Sequence, residues 1–373
     1  MLKSGVPIGR LFGISLRLHY SWFLIFALVT WALVTSYFPV VYPDWSLATS
    51  IIAGVVTSLL FFGSVLAHEL MHSIVARSSG IPVQSITLFI FGGVSQITEE
   101  PKEPKVELKI AIAGPLTSII LGGVFIGIYL LLPARFEEIT AVAFWLGWIN
   151  LTLAGFNLLP GFPLDGGRVL RSILWWRSGS LRRATKWASN AGRFIGFFFI
   201  FSGVWLVFSG LWFNGLWLAF IGWFLVSAAA SSYQQVALQQ MLQDHTVREI
   251  MSRVCFKVPP DITIDNLVND YILPSGNRCL VVADGSRIQG LITLQNIRVF
   301  PRRQWASKKA ADVMTPLDKL KWVKPDDDLA SVLKILTQQD INQLPVIEDG
   351  NIIGMVGRDH LLSFINIRDK LGM

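Results

Sequence analysis

Up to about residue 230 this chain does not alternate apolar and polar positions. Apolar residues run on, stop at a charge cluster or a Pro/Gly pair, and resume. Crossing a hydrocarbon layer of ~30 Å takes about 20 helical residues. Six stretches, at about 19–37, 47–77, 106–132, 141–159, 194–208 and 211–230, are read as helical spans. The segment 83–97 differs: it follows a break at Gly80-Ile81-Pro82, is rich in β-branched residues and carries Gly92-Gly93 in its middle. It is too short and interrupted to cross as a helix, and non-helical backbone at membrane depth survives only where protein buries it or water reaches it. A re-entrant β hairpin lining a cavity is expected there. Residues 1–17, which mix Gly, basic and apolar positions, are expected to form short strands at the membrane surface, with His19 an interfacial residue at the edge of the first span.

Residues 99–109 read as a charged connector. The stretch 157–168, with Pro160, Gly161, Pro163, Gly166 and Gly167, is expected not to continue a helix, and a strongly basic loop through Lys186 follows it. From about residue 243 the composition becomes that of a soluble domain, and a repeat appears at an offset of 63–65 residues. Glu249-Ile-Met-Ser252 matches Asp312-Val-Met-Thr315, and Val258-Pro-Pro-Asp261 matches Val323-Lys-Pro-Asp326. The Asp-Gly pairs at 284–285 and 349–350 close equivalent hairpins, so each unit reads strand, helix, strand, hairpin, strand, helix. The fold class is an α-helical polytopic membrane protein with six spans and a re-entrant β segment, followed by an α/β repeat pair. The expected boundaries are 1–232 for the transmembrane domain, 233–243 for a linker, and 244–304 and 305–373 for the repeats.

Composition excludes a soluble globular class: 52% of residues are hydrophobic, 15% are charged, and mean hydropathy is +0.52. The net charge of +7 does not indicate a nucleic-acid partner, because the basic residues flank apolar spans. They lie in the N-terminus and in 77–109 and 160–193, whereas 39–46, 133–140 and 209–213 carry only Arg135. By the positive-inside rule both termini are expected in the cytoplasm, in a multi-pass protein of a prokaryotic plasma membrane whose first span is uncleaved. Cys255 and Cys279 make neither a disulfide framework nor a metal site, in keeping with a reducing compartment.

The second span contains His68-Glu69-Leu70-Met71-His72. On a helix this spacing puts two imidazoles one turn apart on one face with a carboxylate beside them, an arrangement that binds zinc and supplies a general base. The competing reading, polar side chains satisfying one another across a bundle, does not explain the spacing. A catalytic zinc needs a third protein ligand. The first acid reaching the membrane boundary on the same side is Asp165, so elimination selects it, against an Asp that merely caps the turn before Gly166-Gly167. Asn150 and Asn157 share a face of the fourth span. Asn157 is equally a helix-gluing amide and a donor to a developing oxyanion, while Asn150 is read as structural.

These motifs together resemble the site-2 protease family of intramembrane zinc metalloproteases, over about residues 1–232. The resemblance implies one zinc per chain held by His68, His72 and Asp165, Glu69 as base, and Asn157 and Pro163 as active-region residues. It further implies a re-entrant strand around Phe91-Gly92-Gly93-Val94 that pairs with unfolded substrate. The implied partner is a single-span, membrane-anchored regulatory protein cut within or near its own span. The repeats resemble a CBS pair, which implies adenine nucleotide (ATP or AMP) in the cleft between them, homo-oligomer formation, and a regulatory role. The ribose-binding acid falls on Asp359, with Thr293 a further nucleotide-binding candidate, while Asn296 replaces the acid in the first repeat. A transporter or channel is disfavoured because spans one, three, five and six offer no acidic or polar path; an inactive scaffold is separated from a protease only by a cleavage assay.

Overall fold

The chain is described by a computed structural model over residues 5–90, 92–97, 100–243, 245–252, 256–276, 279–285, 287–338, 341–349 and 351–371. It divides into two compact units, Met1–Val236 and Ala237–Met373.

Among the described residues, six helices are long and apolar enough to cross a membrane: Tyr20–Val41, Leu47–Ser78, Pro104–Leu131, Glu137–Asn157, Leu181–Phe208 and Trp212–Leu238, the last running past the end of the first unit. The first begins at His19, whose Nδ1 accepts the Ser21 N–H, and widens into a π-helical turn at Leu33–Tyr37. Pro39, which follows, cannot donate to the carbonyl four residues back. The second helix has 32 residues, so it is ~48 Å long against a hydrocarbon layer of ~30 Å. Its buried face is small and polar: Ser50, Gly54, Thr57, Ser64, His68 and His72 recur at helical spacing. The fifth and sixth helices approach through glycines. A Cβ on Gly203 would stand 2.6 Å from the Gly215 carbonyl oxygen, and one on Gly222 would stand 2.5 Å from that of Gly196. Small residues at such crossings let membrane helices pack by backbone contact.

The N-terminal strands and the 83–97 hairpin form one four-stranded sheet, ordered β1 (Gly5–Leu11), β2 (Ile14–His19), β3 (Val83–Phe89), β4 (Gly92–Ile97). β2 runs parallel to β3 from Ser15↔Ser85 to Leu18↔Leu88, and the other pairs are antiparallel. Ile14, Leu16 and Ile86 bury their side chains against Leu66 and Leu70 of the second span, which seats the sheet beside the two histidines. β4 forms its edge.

Two expectations are corrected. The 157–168 stretch breaks only briefly, because a new helix runs Asp165–Ser178, and the basic segment beyond it belongs largely to that helix and the fifth span. Gly166 and Gly167 do not end a helix; they form the first turn of one. A Cβ on Gly166 would lie 2.2 Å from the Leu158 carbonyl oxygen, so the missing side chains permit close seating on the preceding loop. Glu107, which the expected connector and the expected third span share, is fully buried in the first turn of that span, so the third span does carry a buried acid, against the expectation of none there.

In the second unit β5 (Lys257–Val258), β6 (Cys279–Asp284), β7 (Arg287–Thr293) and β8 (Thr315–Pro316) form one sheet, and β9 (Gln343–Glu348) pairs with β10 (Asn351–Gly357). The repeats exchange their lead-in segments. Ser252 pairs with Met355, while β8, from the start of the second repeat, pairs with β7 of the first. Residues 233–243 continue the sixth helix, which runs Trp212–Gln243.

Candidate metal centre

His68 and His72 lie on the buried face of the second span, and their Nε2 atoms are 3.2 Å apart. Asp165 Oδ2 stands 3.2 Å from each, so three potential ligand atoms form a near-equilateral triangle. The helix start at Asp165 makes this meeting possible. The loop 158–164 reverses the chain after the fourth span, Gly167 packs on Gly161, and the carboxylate projects from the first turn toward the histidines.

The third span fixes both rings from behind. His72 Nδ1 is 2.6 Å from the Ile110 carbonyl oxygen, which can only accept, so Nδ1 carries the proton and Nε2 presents its lone pair. His68 Nδ1 is bonded to Ser118 Oγ at 2.9 Å. Metal-ligating histidines are ordinarily held in this way through the second ring nitrogen. Gly114, between these two anchors, faces the triangle. A Cβ there would lie 2.2 Å from His72 Nε2 and 2.5 Å from His68 Nε2.

The donor set fits zinc. Tetrahedral bonds of ~2.0–2.1 Å put neighbouring ligand atoms roughly 3.3 Å apart, close to the separations found here. His68 and His72 are each only 4% exposed, so water competes little for these atoms.

Glu69, half-buried, faces β4. Its Oε2 accepts from Ser95 Oγ at 3.0 Å, and Ser95 in turn accepts from Ser73 Oγ at 3.1 Å. Gly93 lies against the same side chain, where a Cβ would stand 2.3 Å from Glu69 Cγ. Gly92, Gly93 and Val94 pair with Phe89, Leu88 and Thr87, whereas Phe91 lies outside the described residues. Pro163 sits half-buried in the loop just before Asp165. Asn157 closes the fourth span and, among the described residues, forms no hydrogen bond with the histidines, Glu69 or Asp165. Asn150 is buried and donates to the Leu146 carbonyl and to Ser64 Oγ, as a structural amide does.

Ser95, Ser118 and the Ile110 carbonyl escaped the sequence reading. Ser118 carried a signal, since it lies one turn after Gly114 on the small face of the third span. Ser95 and a backbone carbonyl carried none.

In the second unit, Thr293 caps the helix Leu294–Arg298. Its N–H donates to Asn296 Oδ1 at 2.9 Å, and Asn296 Nδ2 donates to Thr315 Oγ1 at 3.1 Å. Asp359 stands exposed in the first turn of Arg358–Leu371. Glu249 is held below its ordinary 4.5 first by the Thr246 backbone N–H and next by His245.

The Peptidase family M50 model matches residues 56–138 and 133–203, and the CBS domain model matches 247–301 and 310–367. Rip3 of Mycobacterium tuberculosis, whose name describes a zinc metalloprotease, is 33% identical over 371 residues, covering 98% of this chain and 94% of that one. Zinc metalloprotease MJ0392 of Methanocaldococcus jannaschii is 30% identical over 377 residues, 99% of each chain. A solved site-2 protease from Methanocaldococcus jannaschii is 30% identical, covering 61% of this chain and 95% of that one with a TM-score of 0.42. Full-length similarity to proteins of this kind, together with both family matches, makes the chain a zinc metalloprotease of the site-2 protease family, Peptidase family M50, with a pair of CBS domains.

Proposed function

We propose that this enzyme hydrolyses peptide bonds within or near the transmembrane segment of a single-span, membrane-anchored regulatory protein, at a zinc held by His68, His72 and Asp165. The observation that carries the reading is the convergence of two Nε2 atoms and one carboxylate oxygen at 3.2 Å around the space left by Gly114. Zinc, when bound, lowers the pKa of a water and polarises the scissile carbonyl.

Glu69 takes the proton of the attacking water and returns it to the leaving amine, and Ser95 holds the carboxylate in place through its hydroxyl. The Asn157 amide donates to the oxygen on which charge develops. A transmembrane helix hides its own amides, so the substrate must unwind before it can be cut. The edge strand that carries Gly92, Gly93 and Val94 receives the extended segment by strand addition, with Pro163, two residues before Asp165, a further substrate-binding candidate, and Phe91 one outside the described residues.

The distribution of Lys and Arg supports a site and both termini on the cytoplasmic side of a prokaryotic plasma membrane. We further read residues 1–232 as the catalytic domain, 233–243 as a helical linker, and 244–304 and 305–373 as regulatory repeats that assemble homo-oligomers. Adenine nucleotide would bind between the repeats near Asp359, with Thr293 a further candidate in the first repeat, where Asn296 stands in place of the acid.

The test is cleavage of a reconstituted single-span substrate in proteoliposomes. Glu69→Gln is expected to abolish cleavage while bound zinc stays at the wild-type level; normal turnover by that variant would refute the role. Comparing cleaved membrane proteins in cells carrying the wild type and Glu69→Gln would identify the substrate.

A further inference from the structure

A buried ion pair stands beside the metal centre and takes no part in the chemistry above. Glu107, fully buried, accepts on Oε1 from Arg171 Nε at 2.6 Å and from Arg171 Nη2, and Arg168 Nε stands 3.9 Å away. Arg171 is only 6% exposed, and its guanidinium lies over the Phe162 ring, 5.1 Å from the centroid. As a stabilising device the pair is poor. Both donors converge on one oxygen, Glu107 Oε2 is buried without a partner among the described residues, and apolar replacements of buried pairs are often neutral or stabilising.

Its location suggests another purpose. Glu107 lies one turn before Ile110, whose carbonyl holds His72, on the helix that also supplies Gly114 and Ser118. Arg171 lies on the helix that begins with Asp165, and Phe162 beneath it belongs to the loop leading into that residue. The pair thus ties the helix that orients both imidazoles to the helix that carries the carboxylate.

We propose that the Glu107–Arg171 pair is a positioning device, which sets the Asp165 carboxylate against His68 and His72 and thereby sets metal affinity. The inference rests on the zinc-ligand reading above. Two guanidinium donors held on one carboxylate oxygen constrain angle as well as distance, which a nondirectional apolar contact between the same helices does not.

The experiment measures zinc affinity of the full-length protein by competition with a chromophoric chelator, with the absorption spectrum of the cobalt-substituted protein as a second readout. The doubly apolar variant Glu107→Leu/Arg171→Met removes both charges of the buried pair, and Arg168, the more exposed arginine 3.9 Å from Glu107, is left to solvent. It is expected to melt at or above the wild-type temperature, yet bind zinc ~10–100-fold more weakly, with an altered cobalt spectrum and reduced kcat at unchanged KM. A folded double variant with wild-type zinc affinity and cobalt spectrum overturns the proposal. Asp165→Ala is the control: if it leaves zinc affinity unchanged, the ligand reading itself fails, whereas loss of zinc there beside a silent double variant sinks only the positioning role. Should the double variant not accumulate, Glu107→Gln decides, with ~10-fold weaker zinc binding expected. Failure of both to fold would assign the pair to stability and equally overturn the proposal.

Discussion

The metal centre and the CBS repeats handle polar side chains in opposite ways. In the first unit His68 and His72 are withdrawn from solvent inside an apolar helix, and each ring is answered twice. One nitrogen meets the third span and the other meets the shared point with Asp165. In the second unit the candidate ligand residues stand at helix starts, where Thr293 and Asn296 satisfy each other and Asp359 faces solvent. A buried polar group within a membrane is costly unless something engages it, so its position there points to a role. At a helix start on a soluble domain the same residue types are satisfied by local caps, so position alone says little.

That contrast is sharpest at Gly114. Gly114→Ala places a methyl group where both Nε2 atoms converge, and a displacement of ~1 Å there is expected to lower kcat by ~10²-fold or more. Bound zinc measured on the purified variant should fall with it; retained zinc and full activity would break the contrast. Ser95→Ala comes next, because it removes one hydroxyl donor to a carboxylate. At the low end of the ~1.5–3 kcal/mol that hydrogen bonds to charged groups contribute, kcat should drop ~10-fold at constant zinc content. Parallel loss of zinc would instead make Ser95 a structural support of the whole site.

A probe of the second unit is Leu336→Ala, in a fully buried cluster with Val332, Leu344 and Val356. It is expected to cost that unit ~2–5 kcal/mol, read as faster amide exchange over 329–361 in the full chain, with zinc affinity unchanged. Reduced zinc affinity would show that the units are not energetically separate. The smallest effect concerns Glu249, whose carboxyl is held low by the Thr246 N–H and His245. Because the folded value is depressed, the contribution is present above the ordinary 4.5 and is lost as pH falls through the lowered value. Glu249→Gln should therefore flatten the acid-side decline in melting temperature of this unit and leave neutral pH almost unaffected.

How much could be read in advance depended on the range of the interaction. The His68–His72 spacing was legible because i, i+4 neighbours share a helix face whatever the rest of the chain does. Asp165 is reached only by elimination, and Gly166 and Gly167, expected in a stretch that does not continue a helix, instead permit close packing at a helix start. Glu107 falls in the overlap of the expected connector and the expected third span, and its charged neighbours in sequence point to the connector. Its actual surroundings come from Arg171, a residue on another helix.

The order of apolar runs, the paired imidazoles and the Asp-Gly-punctuated repeat were determined by the sequence by itself, because each follows from local periodicity. Tertiary structure alone decided that 5–19 and 83–97 share a sheet, that the two repeats exchange their lead-in segments, and that one carboxylate closes a triangle with two imidazoles. These contacts join segments tens of residues apart. They depend on where helices cross and how closely glycines let them approach, which no local pattern encodes.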